Sequence, residues 1–332
     1  MTSLIVCQNV IFILKLMSNI TEGFIFDLSI VIPVFNSAAS LKTLIEKIES
    51  SLNPANYSFE VIFVDDCSED DSSLILNSIF KKHHNITVIE LRKNFGQDNA
   101  IMAGLEYSSG AKIVIMDDDL QHNPSDIIVL DRNLTHDVDV CYANFVVKKQ
   151  AWFKNLGSNF NHLCANILLN KPKEIYLSPF KILDAGIKKE ILKYKGPYPY
   201  IDGLIFLSTI RVKQIEVEHS FRLSGKGNYT LLKSIKVWLK LVTNFSILPL
   251  RLATLAGFIF AGIGFILAII FIVNYFYDSQ IPEGWSSVSV LILCFGGIQL
   301  IAIGMIGEYL GRLFLLNNNQ PQYIVRNIRT IK

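Results

Sequence analysis

The chain has 332 residues, of which 51% are hydrophobic and only 18% charged, with a mean hydropathy of +0.37. Soluble domains carry about 25% charged residues, so this composition excludes a disordered chain and argues against a purely soluble one. With 31 basic and 29 acidic residues the net charge is +2, which gives no basic footprint for nucleic acid. The five cysteines are odd in number and form no C-x-x-C pair, which argues against zinc or a redox couple and suits a reducing compartment. The length corresponds to about two domains.

Leu4 to Met17 is apolar but broken by Gln8, Asn9 and Lys15. It is too short to cross a bilayer and lacks the basic start and A-x-A end of a signal peptide. Residues 1–26 are therefore read as an N-terminal extension, either a surface helix or sequence upstream of a natural start at Met17.

From residue 27 to about 230, short β-rich apolar runs alternate with helical stripes. Strands are expected at Leu28–Val34, Phe59–Val64, Ile86–Leu91, Lys112–Met116 and Val138–Tyr142. Leu41, Leu44, Ile45, Ile48 and Leu52 form an amphipathic stripe, and helices are also expected at Ser72–Lys82, Gln97–Tyr107 and Pro124–Leu134. This alternation predicts an α/β domain with a mainly parallel sheet covered on both faces. Ligands of such sheets bind beyond the carboxyl ends of the strands.

The polar residues sit there. Pro33-Val34-Phe35-Asn36 follows the first strand and Asp65-Asp66-Cys67-Ser68 the second. Arg92 to Gln97, with Asn94 in the middle, follows the third, and Asp117-Asp118-Asp119-Leu120-Gln121 the fourth. Asp70, Asp71 and Ser72 are read as the opening of a helix. For Asp65 and Asp66 a solvated turn and a ligand contact weigh equally. The triplet at 117–119 reads differently, because three carboxylates leaving a buried strand repel one another and call for a counter-charge. A hard divalent cation on oxygen ligands, bound together with a diphosphate, is the economical answer.

Leu231 to Phe245 places Ile235, Leu239 and Val242 at helical spacing, with lysines at 233, 236 and 240. It reads as an amphipathic helix lying in a membrane surface, within an interfacial region at 231–251. Leu252 to Tyr277 then runs 26 residues without a charge, and a second uncharged run covers Ser286 to Gly307. A bilayer core of roughly 30 Å needs about 20 apolar helical residues, so 252–316 is expected to form a two-helix transmembrane hairpin. Its short joining loop, 278–285, has no Lys or Arg, whereas Lys233, Lys236, Lys240, Arg251, Arg312, Arg326, Arg329 and Lys332 flank the pair. The charge bias puts both flanks, the large domain and the tail at 317–332 on the cytoplasmic side of the cell membrane.

Taken in order, SIVIPVFN, VIFVDDCSEDDSS, LRKNFGQDNAIMAGLEYSSGAKIVIMDDDLQHNP and IGEYLGRLF resemble the family-two glycosyltransferases that load sugars onto polyprenyl phosphate. The resemblance runs from about Ser29 to Val325. It implies a GT-A fold, a nucleotide-sugar donor such as a UDP-sugar, a polyprenyl (undecaprenyl) phosphate acceptor and Mg²⁺ or Mn²⁺. It places Pro33, Phe35, Asn36, Asn94 and Asp118 at the nucleotide sugar, with Asp65 or Asp66 on the base or ribose. Asp117 and Asp119 match the family's catalytic and metal-binding D-x-D, with Gln121 following as a further metal ligand. Arg222 to Tyr229 resembles the R-x-x-G-x-S-x-Y of the acceptor side, with Gly227 where serine is usual; Arg222, Lys226, Tyr229 and Lys181 become the anchors for the acceptor phosphate. Pro179 stands where some relatives carry an aspartate. Membrane lipids are then immediate neighbours, and a homo-oligomer is an open alternative. Two other readings compete: a processive polysaccharide synthase, whose Q-x-x-R-W is missing from the sequence, and a silent scaffold or flippase partner, which an intact D-x-D disfavours.

Overall fold

A computed structural model describes residues 24–145, 175–217, 284–318 and 320–330, together with eight helical positions between 255 and 273. The described residues up to Val217 and from Gln320 onward belong to one compact unit, and those from 255 to 318 to a second.

The first unit is built on eight strands: β1 (Phe26–Val34), β2 (Phe59–Asp65), β3 (Ile86–Leu91), β4 (Gly110–Ile115), β5 (Val140–Phe145), β6 (Lys181–Asp184), β7 (Val212–Val217) and β8 (Val325–Arg329). They lie in the order β7-β5-β6-β4-β1-β2-β3-β8. Strands β4, β1, β2 and β3 run parallel, β6 and β8 pair antiparallel with β4 and β3, and β5 is parallel to β7. The chain moves outward from β1 to β2 to β3 and then returns to β1's other side as β4. That reversal opens a crevice at the carboxyl ends of β1 and β4.

Helices α1 (Leu41–Leu52), α2 (Ser72–Phe80) and α4 (Asp126–Asn133) bury Leu44, Ile48, Leu76, Ile79, Ile127 and Leu130 in one core with Leu28, Ile30 and Ile32 of β1. Side chains alternate across a strand, so Val31 and Val64 face the other way, onto α3 (Gln97–Tyr107). There Gly104 lies so close to the sheet that a Cβ would stand 2.3 Å from Val31 Cγ1. Helices α5 (Ala185–Ile191) and α6 (Ile201–Ser208) follow β6.

The five strands and four helices expected from periodicity are present, with ends that coincide or are shifted by up to three residues. Three further strands were not anticipated. β6 and β7 are short and flank segments without clear alternation. β8 reads VRNIR, too polar to signal a strand, and occupies the stretch expected to be a plain tail.

In the second unit α7 (Trp285–Asn317) is one 33-residue helix. Its segment Phe295–Leu315 is long and apolar enough to cross a membrane, with mean hydropathy 1.4 and none of it buried. The expected second span stopped at Gly307, but the helix continues through Glu308 and Arg312. The described positions of the expected first span, from Leu255 to Val273, are helical. Most of that span, the interfacial region at 231–251 and nearly all of the N-terminal extension lie outside the described residues.

Candidate active site

A cavity of about 330 Å³ opens at the carboxyl ends of β1 to β4. Pro33, Val34 and Phe35 come from β1, Asp66 from β2, Asn94, Gly96 and Gln97 from the β3–α3 loop, and Asp117, Asp118 and Asp119 from the end of β4. Four sequence-distant loops therefore meet because their strands are parallel neighbours.

The acidic triplet behaves as one unit. Extended backbone would point alternate side chains apart. Instead β4 ends at Ile115 and the chain turns, with Leu120 at φ 64°, so that all three carboxylates reach the cavity wall. Burial and the neighbouring Asp119 and Asp118 carboxylates push Asp117 up to about 7, against the pull of Lys181 and Gln97. Burial likewise raises Asp118 to about 6. Its Oδ2 is buried without a hydrogen-bond partner.

Local contacts fix the triplet. The Gln97 amide donates to Asp117 Oδ1 at 2.7 Å, and the Asp117 N–H donates to His122 Nδ1 at 3.1 Å. An accepting Nδ1 requires that nitrogen to be unprotonated. The imidazole stacks on Phe180 at 5.0 Å. Gln121 does not line the cavity; its N–H donates to Asp119 Oδ1 at 3.1 Å.

The two aspartates after β2 part company. Asp65 turns back on its own loop and accepts from the N–H and hydroxyl of Ser68, at 3.0 and 2.6 Å. Asp66 lines the cavity and accepts the N–H groups of Phe95 and Gly96, at 2.7 and 2.8 Å. Both are buried. Asn36, expected at the nucleotide, is a clasp between loops: its backbone N–H donates to Ser68 Oγ and its Oδ1 accepts from the Glu69 N–H. Asp70 does open a helix, accepting from the N–H groups of Ser72 and Ala38.

Lys181 differs most from expectation. It was expected at the acceptor phosphate, but β6 begins beside the end of β4, with Lys181 opposite Ile115, and this register buries the side chain. Its ammonium is paired with Asp202 of α6 and lies 5.0 Å from the Tyr142 ring centroid. The Tyr142 hydroxyl donates to the same Asp202 oxygen at 2.8 Å. Neither Asp202 nor Tyr142 stood out in the sequence. Gln97 could have been noticed from its place two residues beyond Phe95 at the mouth of a helix. Arg222, Lys226 and Tyr229 lie outside the described residues.

Among the described residues no three His, Cys, Asp or Glu side chains form a preformed metal cage. That is compatible with Mg²⁺ or Mn²⁺, which are held by one or two carboxylates plus substrate phosphates rather than by protein alone. The orphaned Asp118 oxygen and the raised Asp117 are the marks of an acidic site short of positive charge.

The family Glycosyl transferase family 2 matches residues 29–191. The chain is 32% identical over 302 residues to the uncharacterized glycosyltransferase YkcC of Bacillus subtilis, covering 90% of this chain and 93% of that one. It is 28% identical over 307 residues to the undecaprenyl-phosphate 4-deoxy-4-formamido-L-arabinose transferase of Aeromonas hydrophila, with 90% and 93% covered. The corresponding Proteus mirabilis transferase is 29% identical over 308 residues, with 92% and 94% covered. In structure the chain is similar to glucosyl-3-phosphoglycerate synthase from Mycobacterium tuberculosis, solved with Mn²⁺, UDP and phosphoglyceric acid. That match has a TM-score of 0.50 and 16% identity, and covers 66% of this chain and 76% of the synthase. It concerns the fold, an α/β nucleotide-sugar-transferase architecture of the GT-A kind.

Proposed function

The chain is a glycosyltransferase of family 2, and we propose that it transfers a sugar from a nucleotide donor, a UDP-sugar such as UDP-glucose, to undecaprenyl phosphate at the cytoplasmic face of the cell membrane. The observation that carries this is the cavity at the strand ends, with three carboxylates crowded on one wall and one buried oxygen left unpaired. The acceptor class is supported by relatives named as undecaprenyl-phosphate transferases that match over nine-tenths of the chain.

Asp117 and Asp119 would hold Mg²⁺ or Mn²⁺, whose charge offsets the negative charge that develops on the leaving diphosphate, with Asp118 beside them at the nucleotide sugar. Pro33, Phe35, Asp66 and Asn94 would border the nucleoside. Lys181, locked to Asp202, would act from behind Asp117 by offsetting the acidic wall. Arg222 and Lys226, with Tyr229 beside them, would grip the acceptor phosphate.

No general base is required. A phosphate monoester has its second pKa near 6, so the acceptor is largely a dianion at neutral pH. One of its oxygens attacks the anomeric carbon, a C–O bond forms, and the bond to the diphosphate breaks on the opposite side. The electron pair leaves with the nucleoside diphosphate and the configuration inverts. An uncharged residue at Pro179 is consistent with this chemistry.

A two-helix hairpin at 252–316 would anchor the enzyme with both termini cytoplasmic. The exposed Leu300, Ile301, Ile306 and Leu310 of α7 support a lipid-facing helix. The test is transfer itself. Membranes containing the protein are given labelled UDP-sugars, undecaprenyl phosphate and Mg²⁺, and organic-soluble lipid is counted. Lipid-linked monosaccharide is expected. A long polymer would point to a processive synthase, and no product with any nucleotide sugar would overturn the reading.

A further inference from the structure

The cavity wall contributed by Asn94, Gly96 and Gln97 is held from two sides. From within the site, Asp66 grips the Phe95 and Gly96 N–H groups. From outside, the carboxy-terminal segment holds the loop and both elements that flank it. The Arg92 N–H donates to the Ile324 carbonyl at 2.9 Å, and the Arg326 guanidinium reaches the Arg92 carbonyl at 3.5 Å. Strand β8 pairs with β3 from Val88↔Arg329 to Leu91↔Val325, with a register shift between Glu90 and Leu91, directly before the loop. Arg329 donates to Glu90 Oε1 at 2.8 Å, and the same oxygen accepts from Ser73 at 2.7 Å. On the loop's far side, the Tyr323 hydroxyl bonds to Glu106 of α3, the helix whose first residue, Gln97, orients Asp117.

We infer that residues 322–329 are a positioning element of the donor pocket: by clamping β3 and α3 together they set the Arg92–Gln97 loop against Asp66 and Asp117. The strand's composition supports this role over a share in the core. Its VRNIR sequence has two apolar residues and leaves Arg326 and Asn327 exposed, so its main contributions are the ladder, the ion pair and the loop contacts. A strand added only to cap a sheet edge would need no contacts to the loop or to α3. The inference rests on the proposal that this cavity binds the nucleotide sugar.

The test uses the full chain with Asn327→Pro and Ile328→Pro together. Successive N–H groups along a strand point to opposite sides, so one of the two prolines must remove a donor facing β3. UDP with Mn²⁺ is titrated by calorimetry, and backbone hydrogen exchange is followed by mass spectrometry. If the loop spends about a tenth of its time in the binding geometry, the Kd rises about tenfold. The expected result is that weakening, with faster exchange across 92–97 and unchanged protection of β4. UDP affinity within about twofold of wild type, with β8 shown by exchange to be detached, would overturn the inference. If the proline variant loses protection across the whole sheet, Arg329→Gln decides the matter. It should weaken UDP binding about threefold, and unchanged affinity with unchanged loop exchange would overturn the inference. If wild-type protein binds no UDP, the donor-site reading fails instead, and loop exchange in the two variants still decides whether the strand positions the loop.

Discussion

Asp118, placed at the nucleotide sugar by the sequence, shares the cavity wall with Asp117 and Asp119 and ends in an unpaired buried oxygen. Asp118→Ala should therefore reduce kcat/KM for the nucleotide sugar at least about tenfold, the effect of losing one charge-assisted contact. Asp119→Asn should abolish transfer while the protein still folds. A steady-state assay at saturating Mg²⁺ checks both, and near-normal turnover of Asp119→Asn would remove the triplet from the chemistry. The triplet was legible in the sequence because it directly follows a strand-like run. The Lys181–Asp202 pair was not, because its partners are 21 residues apart and lie on two different elements, β6 and α6. Removing one member of a buried pair leaves an uncompensated charge and costs about 3–5 kcal/mol. Asp202→Ala should lower the thermal midpoint accordingly, and Lys181→Met with Asp202→Leu should cost less than the single change.

At the level of elements, helix α3 approaches the sheet through Gly104, with no room for a methyl group against Val31. Gly104→Ala should destabilise the first unit by about 1–3 kcal/mol through overpacking, and a thermal melt indistinguishable from wild type would contradict the packing. Strand β8 makes a prediction about pH. Burial opposes ionisation of Glu90, but Ser73 and Arg329 outweigh it and hold the carboxyl below its usual 4.5. A lowered carboxylate stabilises the fold above its unfolded value, and that contribution disappears as pH falls through the folded value. Arg329→Gln should thus cost about 1 kcal/mol at pH 7 and progressively less as pH falls below 4.5 and through the lowered folded value of Glu90. Melts across a descending pH series test this. The central parallel strands were legible because both faces are buried and their sequences read as apolar runs. β8 was not, because a polar edge strand owes its place to distant hydrogen bonds.

On the scale of the whole chain, the sequence order hides the fold's closure. The chain leaves the sheet after β7 and passes through α7 before its last strand joins β3. The strand-end cavity was expected from alternation alone, whereas the clamp on its third wall needed coordinates. The proposed membrane arrangement is testable in a cysteine-free background. Ser279→Cys in the 278–285 loop should react with an impermeant reagent from outside only, and Glu46→Cys on the exposed face of α1 from inside only. Labelling of both from one side would contradict the hairpin.

The central claim is that the cavity between Pro33 and Asp119 holds a metal–diphosphate donor. Its most direct test is a structure of the full chain with UDP and Mn²⁺, collected for anomalous scattering from manganese. The account predicts an anomalous peak against the Asp117–Asp119 wall, with the diphosphate beside it and the nucleoside toward Phe35 and Asp66. Nucleotide or metal bound elsewhere on the domain, with this cavity unchanged, would contradict it.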